Sequence, residues 1–153
     1  MRRRKFIQST VQVSAATFLF GQLYACKAKK PLSISIPTGS TYDMQYLRGN
    51  IGYFTERGGT IGWYAGKGGI VVVDTQFPEQ SQNLATEITK INDDRIDLII
   101  NTHHHGDHTA GNTVLIDKTD IILAHANSKK NQKKTAVDRG TEDQQVYPTD
   151  TFT

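Results

Sequence analysis

Hydrophobic and polar positions divide the chain into a β-rich first part and a second part in which strands alternate with helices. Over residues 42–74, short apolar runs are broken by single and paired glycines, a pattern that predicts antiparallel strands joined by turns. The clearest of these strands, residues 69–74, is β-branched and has no polar residue before its final aspartate. We therefore predict that it is buried on both faces.

A helical spacing of apolar residues follows this strand. Leu84, Ile88 and Ile91 recur at i, i+4 and i+7 behind Pro78, which predicts an amphipathic helix over residues 79–92. Two further strands and a charged surface helix are predicted at residues 96–100, 121–124 and 127–138. Strand–helix–strand alternation after a β-rich start predicts a mixed α/β layered fold.

The N-terminal residues have the parts of an export signal. A basic start over residues 2–5 precedes a largely uncharged stretch over residues 6–25, and Cys26 follows. The run Arg-Arg-Lys-Phe-Ile at residues 3–7 resembles the twin-arginine export pattern, and Leu-Tyr-Ala-Cys at residues 23–26 resembles a bacterial lipobox. These resemblances imply export to the periplasm or cell envelope, with Cys26 lipidated. Simple cleavage of the signal is one alternative, and a plain membrane anchor is another that the polar residues within 6–25 disfavour.

The chain thus divides into an export signal at residues 1–26, a tether at 27–40 that leads into an edge strand around 32–36, and a domain at 41–153. The net charge of +3 comes from the signal: removing its four basic residues from the 18 Lys and Arg leaves 14 against 15 Asp and Glu. The domain therefore has no electrostatic case for nucleic-acid binding. Cys26 is the single cysteine, so the domain has no disulfide and no thiolate ligand.

The densest chemistry lies in residues 101–112, Asn-Thr-His-His-His-Gly-Asp-His-Thr-Ala-Gly-Asn, directly after the predicted strand at 96–100. If the backbone stays extended through residue 105, His103 and His105 point to one side of it and His104 points to the other. Two imidazoles on one side can bind a single Zn²⁺ through bonds of about 2.0–2.1 Å.

Asp107 and His108 follow Gly106, which permits a tight turn, and we predict that they serve a second ion beside the first. Paired ions in hydrolytic sites lie about 3.5–4 Å apart. A structural zinc site would favour cysteines and a closed set of four protein ligands, so the cluster indicates a hydrolytic site instead. His104 and His125 are interpreted as packing or hydrogen-bonded residues.

Asp74 ends the apolar strand at residues 69–74, at the edge of the sheet where α/β proteins place their sites. Its side chain is open to two interpretations. It caps a turn or a helix, as aspartates at the start of loops commonly do. Alternatively, it supports the metal-binding loop through hydrogen bonds.

The cluster His-x-His-x-Asp-His resembles the first metal-binding motif of the metallo-β-lactamase superfamily. Weaker landmarks in the family order extend the resemblance over residues 47–153, at residues 49–50, 59–62, 72–75, 109–112 and 122–127. The resemblance implies an αββα sandwich with metals at the edge between the two sheets. It assigns His103 and His105 to the first zinc, Asp107 and His108 to the second, and Asp74 to their support.

The family's site also has a third histidine for the first metal, often a bridging acid, and a last histidine for the second. None of these follows the cluster before Thr153. We therefore expect the first half of the sandwich with the rest truncated, and we expect residues 1–153 alone to bind zinc weakly and to be inactive.

For the complete protein, the resemblance implies a zinc-dependent hydrolase of a small-molecule ester, lactone, thioester or β-lactam, with one or two Zn²⁺ ions. Asp107 would orient the attacking water as well as hold the metal. One alternative is an iron-dependent redox member of the same fold. Members with two irons commonly carry a glutamate where His105 stands, so His105 favours zinc. The other alternative is an inactive truncated surface lipoprotein.

Overall fold

One seven-stranded sheet organises residues 33–153, the part of the chain that the computed structural model describes. The strands lie in sequence order: β1 (Asp43–Arg48), β2 (Ile51–Glu56), β3 (Gly59–Gly66), β4 (Gly69–Val73), β5 (Ile96–Asn101), β6 (Thr119–His125) and β7 (Asp150–Phe152). The first three pairings are antiparallel and the last three are parallel. The predicted mixed α/β fold is confirmed. One sheet with its helices corresponds to one half of the expected sandwich, and residues 33–153 contain no second sheet.

The β2–β3 hairpin shows how local chemistry sets the register of the sheet. Arg57 and Gly58, with φ of 49° and 79°, form the two-residue turn between the strands. Positive φ at both turn residues is the type I′ geometry, whose twist matches that of the paired strands. The register that follows places Phe54 opposite Ile61, and both side chains are completely buried.

The two faces of the sheet are buried to different extents. On one face, a row of paired residues crosses four strands, and all of its members are buried: Trp63, Val72, Ile99 and Ile122. On the other face, two apolar rows on β4, β5 and β6 are only half-buried or exposed: Val71, Leu98 and Ile121, then Val73, Ile100 and Leu123. Burial of residues 69–74 on both faces is therefore wrong for the described part of the chain, because its core packs against one face only.

Helix α1 (Pro78–Ile88) carries the predicted apolar stripe into this core. Leu84 and Ile88 are buried there, and Ile91 packs against the core from beyond the end of the helix. The helix ends four residues before the predicted residue 92. Its last turn tightens, because the amides of Lys90 and Ile91 bond to carbonyls three residues earlier.

Three more helices and two 3₁₀ turns follow: α2 (Gly106–Thr109), α3 (Asn112–Leu115), α4 (Ala126–Arg139), Ile116–Lys118 and Glu142–Gln144. The predicted surface helix at 127–138 is confirmed as α4. His125 is its N-cap and accepts a hydrogen bond at Nδ1 from the Asn127 amide at 3.0 Å, which agrees with its interpretation as a hydrogen-bonded residue. Gly140 ends the helix in the left-handed conformation, with φ of 62°.

The predicted export signal at residues 1–26, with its lipidation site Cys26, lies outside the described residues. The tether at 27–40 is described only from residue 33. The edge strand expected around 32–36 is wrong for residues 33–36, which pair with no strand of the sheet; Ile34 and Ile36 pack against the core instead. Pro31 and Pro37 flank this segment and lack the amide hydrogen that a ladder needs. No helix within residues 33–153 is long and apolar enough to cross a bilayer.

Candidate metal centre

The histidine cluster lies where the carboxyl ends of the parallel strands β4 and β5 meet. The amide of Asp74, the first residue after β4, donates to the carbonyl of Ile100 on β5 at 2.9 Å. The cluster begins two residues after β5 ends at Asn101. Because parallel strands end at the same edge of a sheet, an acid and the histidine loop that are far apart in sequence become neighbours.

Asp74 is buried and makes three hydrogen bonds to the cluster loop. Its Oδ1 accepts from the Thr102 amide at 2.8 Å, and its Oδ2 accepts from the Thr102 hydroxyl at 2.7 Å. The same Oδ2 lies 2.8 Å from Nδ1 of His108. Helix α1 receives no side-chain cap, so Asp74 does not act as a helix cap. Asp74 therefore links the end of β4 to the cluster loop, and its role in supporting a metal site stays a prediction.

His103 and His105 form the first pair of candidate metal donors, which we name the imidazole pair. Nε2 of His103 lies 3.2 Å from Nδ1 of His105, and the ring centroids are 4.8 Å apart. The other ring nitrogen of His103, Nδ1, lies 3.1 Å from the hydroxyl oxygen of Thr102. The two rings therefore bring one nitrogen each close together, although residues 103 and 104 form a bend and not the extended backbone that the prediction assumed.

The electrostatics of His103 suit a metal donor. Burial, followed by the neighbouring imidazoles of His108 and His105, lowers the pKa of His103 below its usual value of 6.5. The ring is therefore neutral near pH 7, which is the form that can bind a metal. His104 makes no hydrogen bond among residues 33–153, and its ring centroid lies 6.3 Å from that of His103. Its centroid lies 4.6 Å from that of His105, and its exclusion from the donor set stays a prediction.

Asp107 and His108, on the first turn of α2, form the second pair of candidate donors, which we name the mixed pair. Nε2 of His108 lies 3.5 Å from Oδ2 of Asp107. The side chain of Asp107 is 59% exposed and is therefore open to solvent and to a ligand. The rings of His108 and His103 are 4.0 Å apart between centroids, so the two pairs are adjacent.

The donor atoms fit two metal ions held by two protein ligands each. Two nitrogens bound tetrahedrally at about 2.0–2.1 Å from one zinc lie roughly 3.4 Å apart, and those of the imidazole pair are 3.2 Å apart. Within residues 33–153, no three His, Cys, Asp or Glu side chains converge on one point. Each ion would therefore have two positions left for other ligands.

Backbone contacts hold the cluster loop against the segment that follows β4. The Thr75 amide donates to the carbonyl of His108 at 2.9 Å, and the Gly111 amide donates to the carbonyl of Gln76 at 2.8 Å. A Cβ at Gly111 would stand 2.2 Å from the carbonyl oxygen of Thr75, so only glycine permits this approach. Sequence reasoning missed Thr75, Gln76 and Thr102 as parts of the site, because polar residues beside a motif carry no distinguishing pattern.

A cavity of about 790 Å³ opens beside the donors. Its lining includes Arg57, Phe77, His105, Asp107, His108 and Arg139. The guanidinium of Arg57 lies 5.6 Å from the centroid of the Phe77 ring, which is a cation–π contact. Neither arginine forms an ion pair with a carboxylate in the described part of the chain. The cavity therefore combines candidate metal donors, an aromatic surface and two available positive charges.

Comparison with known proteins identifies relatives of this chain. A family model described as the metallo-beta-lactamase superfamily matches residues 54–150. No curated protein matches the chain.

Among solved structures, the DIM-1 metallo-beta-lactamase matches with a TM-score of 0.59 and 20% identity, over 74% of this chain and 51% of that protein. MEM-A1, a subclass B3 metallo-beta-lactamase from a soil metagenome library, matches with a TM-score of 0.49 and 27% identity, over 54% of this chain and 32% of its own. The metallo-beta-lactamase SMB-1, in a complex with mercaptoacetic acid, matches with a TM-score of 0.49 and 24% identity, over 54% of this chain and 34% of that protein. The chain thus spans between a third and a half of the length of these structures.

Proposed function

The chain belongs to the metallo-β-lactamase superfamily, and from that premise we propose that it forms the metal-binding part of a zinc-dependent hydrolase. The observation that carries this proposal is the 3.2 Å separation of Nε2 of His103 and Nδ1 of His105, two nitrogens turned toward a common point. The adjacent mixed pair supports a second ion. Imidazole nitrogens and a carboxylate oxygen, with no thiolate among them, are a donor set that zinc accepts.

Bound zinc would supply a water that loses a proton near neutral pH. Its positive charge would also polarise the oxygen of a scissile carbonyl. The chain's own residues would supply position. His103, His105 and His108 would hold the metals, and Asp107 would both bind the second ion and orient the attacking water from its exposed carboxylate. Asp74 would keep His108 aligned through the contact at its Nδ1.

The proposed substrates are small molecules with an ester, lactone, thioester or β-lactam carbonyl. The cavity narrows this class further. Arg57 and Arg139 line the cavity that His105, Asp107 and His108 also line, and neither arginine has a carboxylate partner among residues 33–153. A guanidinium without a partner binds a carboxylate through charge-assisted hydrogen bonds. We therefore favour a substrate that bears an acidic group.

The proposed location is the periplasm or the cell envelope, where the protein would meet substrates that enter from outside the cell. This part of the proposal rests on residues 1–26, whose basic start, apolar stretch and Cys26 resemble a lipoprotein export signal. Radiolabelled palmitate incorporated into the wild-type protein and absent from the Cys26→Ser variant would support lipid anchoring. Equal labelling of both proteins, or of neither, would contradict it.

The experiment that tests the proposed activity uses the protein expressed from its complete coding sequence. We expect zinc in the purified protein, hydrolysis of at least one member of an ester, lactone, thioester and β-lactam panel, loss of turnover with a chelator, and recovery with zinc. Asp107→Ala should lower turnover about 100-fold or more, because general-base positioning is typically worth 10²–10⁴ in rate.

The control for that variant is Asp143→Ala, which removes another exposed aspartate, on the 3₁₀ turn Glu142–Gln144. Its turnover should match that of the wild type. Iron with redox turnover in place of zinc, or hydrolysis that is unchanged in Asp107→Ala, would contradict the proposal.

A further inference from the structure

The hydroxyl of Thr102 lies between two groups that determine its hydrogen-bonding direction. Its oxygen is 2.7 Å from Oδ2 of Asp74 and 3.1 Å from Nδ1 of His103. A hydroxyl has one hydrogen to donate, and an ionised carboxylate only accepts. Thr102 therefore donates to Asp74, and its oxygen remains as an acceptor for a hydrogen on Nδ1 of His103.

The direction of the Thr102 hydrogen bond determines which ring nitrogen of His103 carries the hydrogen and which keeps its lone pair. With the hydrogen on Nδ1, the lone pair of the neutral ring is on Nε2. Nε2 is the atom that faces Nδ1 of His105 in the imidazole pair, at 3.2 Å.

The same carboxylate oxygen, Oδ2 of Asp74, contacts the mixed pair directly. Oδ2 of Asp74 lies 2.8 Å from Nδ1 of His108, which places the hydrogen of that ring on Nδ1 and leaves Nε2 free. Nε2 of His108 is the atom that faces Asp107, at 3.5 Å. One histidine of each pair is thus oriented from a single oxygen atom.

We propose that Thr102 is a positioning residue, whose hydroxyl transmits the orienting effect of Asp74 to His103 and so aligns the imidazole pair with the mixed pair. Its role toward a metal rests on the proposed function, but its effect on the tautomer of His103 is a property of the chain without metal. The backbone amide of Thr102 also donates to Oδ1 of Asp74 at 2.8 Å. One residue thereby binds both carboxylate oxygens and holds its own hydroxyl in place.

The test is the histidine tautomers of the metal-free chain, read by long-range ¹H–¹⁵N correlation spectra at about pH 8, where unperturbed imidazoles are neutral. We expect His103 and His108 both to carry hydrogen on Nδ1 in the wild type. Thr102→Val keeps the amide and the shape but removes the hydroxyl. In this variant His103 should move toward the Nε2–H form, while His108 stays unchanged.

Two further variants separate positioning from a merely structural role. Thr102→Ser restores the hydroxyl, and the spectrum of His103 should return to that of the wild type. Thr113→Val removes a hydroxyl on α3 that donates to the carbonyl of Ala110, and it should leave His103 unchanged. An Nε2–H form of His103 in the wild type, or an unchanged tautomer in Thr102→Val, would overturn the inference. The wild-type spectrum is decisive even if a variant does not fold.

A second readout distinguishes this inference from the proposed function. Zinc affinity, measured by competition with a chelating dye, should fall about tenfold in Thr102→Val and recover in Thr102→Ser, since outer partners of metal-binding histidines typically contribute about 10- to 100-fold. If the tautomers behave as expected and no variant binds zinc, the hydrogen-bond relay stands and the proposed function fails. If zinc binds and Thr102→Val leaves both tautomer and affinity unchanged, the relay fails and the proposed function stands.

Discussion

The imidazole pair and the mixed pair lie side by side, yet they are assembled by different means. His103 and His105 come from the loop directly after β5, which bends at residues 103 and 104 and brings one nitrogen of each ring together. Asp107 and His108 are successive residues on the first turn of α2, where neighbouring side chains diverge. Their donor atoms nevertheless lie 3.5 Å apart, close to the 3.2 Å of the imidazole pair.

The pairs also differ in how the rest of the fold holds them. His108 contacts the buried carboxylate of Asp74 directly, and its carbonyl accepts from the Thr75 amide. His103 reaches Asp74 only through the Thr102 hydroxyl. The difference teaches that a short motif brings donors together locally, whereas their alignment depends on the strand next to it. Three predictions, each with a control substitution, test this contrast and its surroundings, from the largest expected effect to the smallest.

Asp74→Asn should weaken both pairs at once. Asparagine tolerates the positive φ of 63° at this position, so the backbone is spared, but the amide offers only one acceptor oxygen where three donors meet. We expect zinc affinity to fall about 10- to 100-fold and the free energy of unfolding to fall by about 2 kcal/mol, because hydrogen bonds to a buried charge are lost. Chelator competition and urea unfolding measure the two effects.

The matched control for that substitution is Asp120→Asn. Asp120 forms an exposed ion pair with Arg95, for which a change of at most about 1 kcal/mol is expected and zinc affinity should not change. If the two variants bind zinc equally well, Asp74 has no part in aligning either pair.

His103→Ala and His104→Ala should separate the imidazole pair from its neighbour in sequence. Loss of His103 removes one of two donors, so zinc affinity at this pair should fall at least about tenfold, while loss of His104 should change it by less than about twofold. Titration of each variant with zinc, followed by the histidine resonances, measures the affinity of each pair separately. A larger effect for His104 would mean that His104, and not His103, belongs to the donor pair.

Arg57→Gln should produce the smallest effect, because it touches neither pair and only lines their shared cavity. We expect the preference for a carboxylate-bearing ester over its neutral analogue to fall about three- to fivefold in kcat/KM, as one exposed charge-assisted contact is removed. Arg48→Gln, an equal charge change on β1, serves as the control. An identical preference in the wild type and both variants would show that the cavity does not recognise an acidic group.

Much of the fold can be predicted from local sequence patterns, and each wrong prediction has a physical cause. The antiparallel start, helix α4 and the two parallel strands β5 and β6 are predicted because turn glycines and apolar periodicity are local signals. Burial of β4 on both faces is wrongly predicted within the described residues, because a continuous apolar run does not show whether both faces are covered. The end of α1 is misplaced, because Ile91 continues the apolar spacing while the backbone has already changed to a tighter turn.

The sequence by itself determined which side chains are candidate metal donors, since the His-x-His-x-Asp-His motif lies within six residues. Only the tertiary structure decided how those atoms are held. Asp74 is separated from Thr102 by 28 residues and from His108 by 34, and the parallel pairing of β4 with β5 brings them within hydrogen-bond distance. The physical reason is that hydrogen-bond direction, and with it the free nitrogen of each ring, depends on a partner that no local spacing specifies.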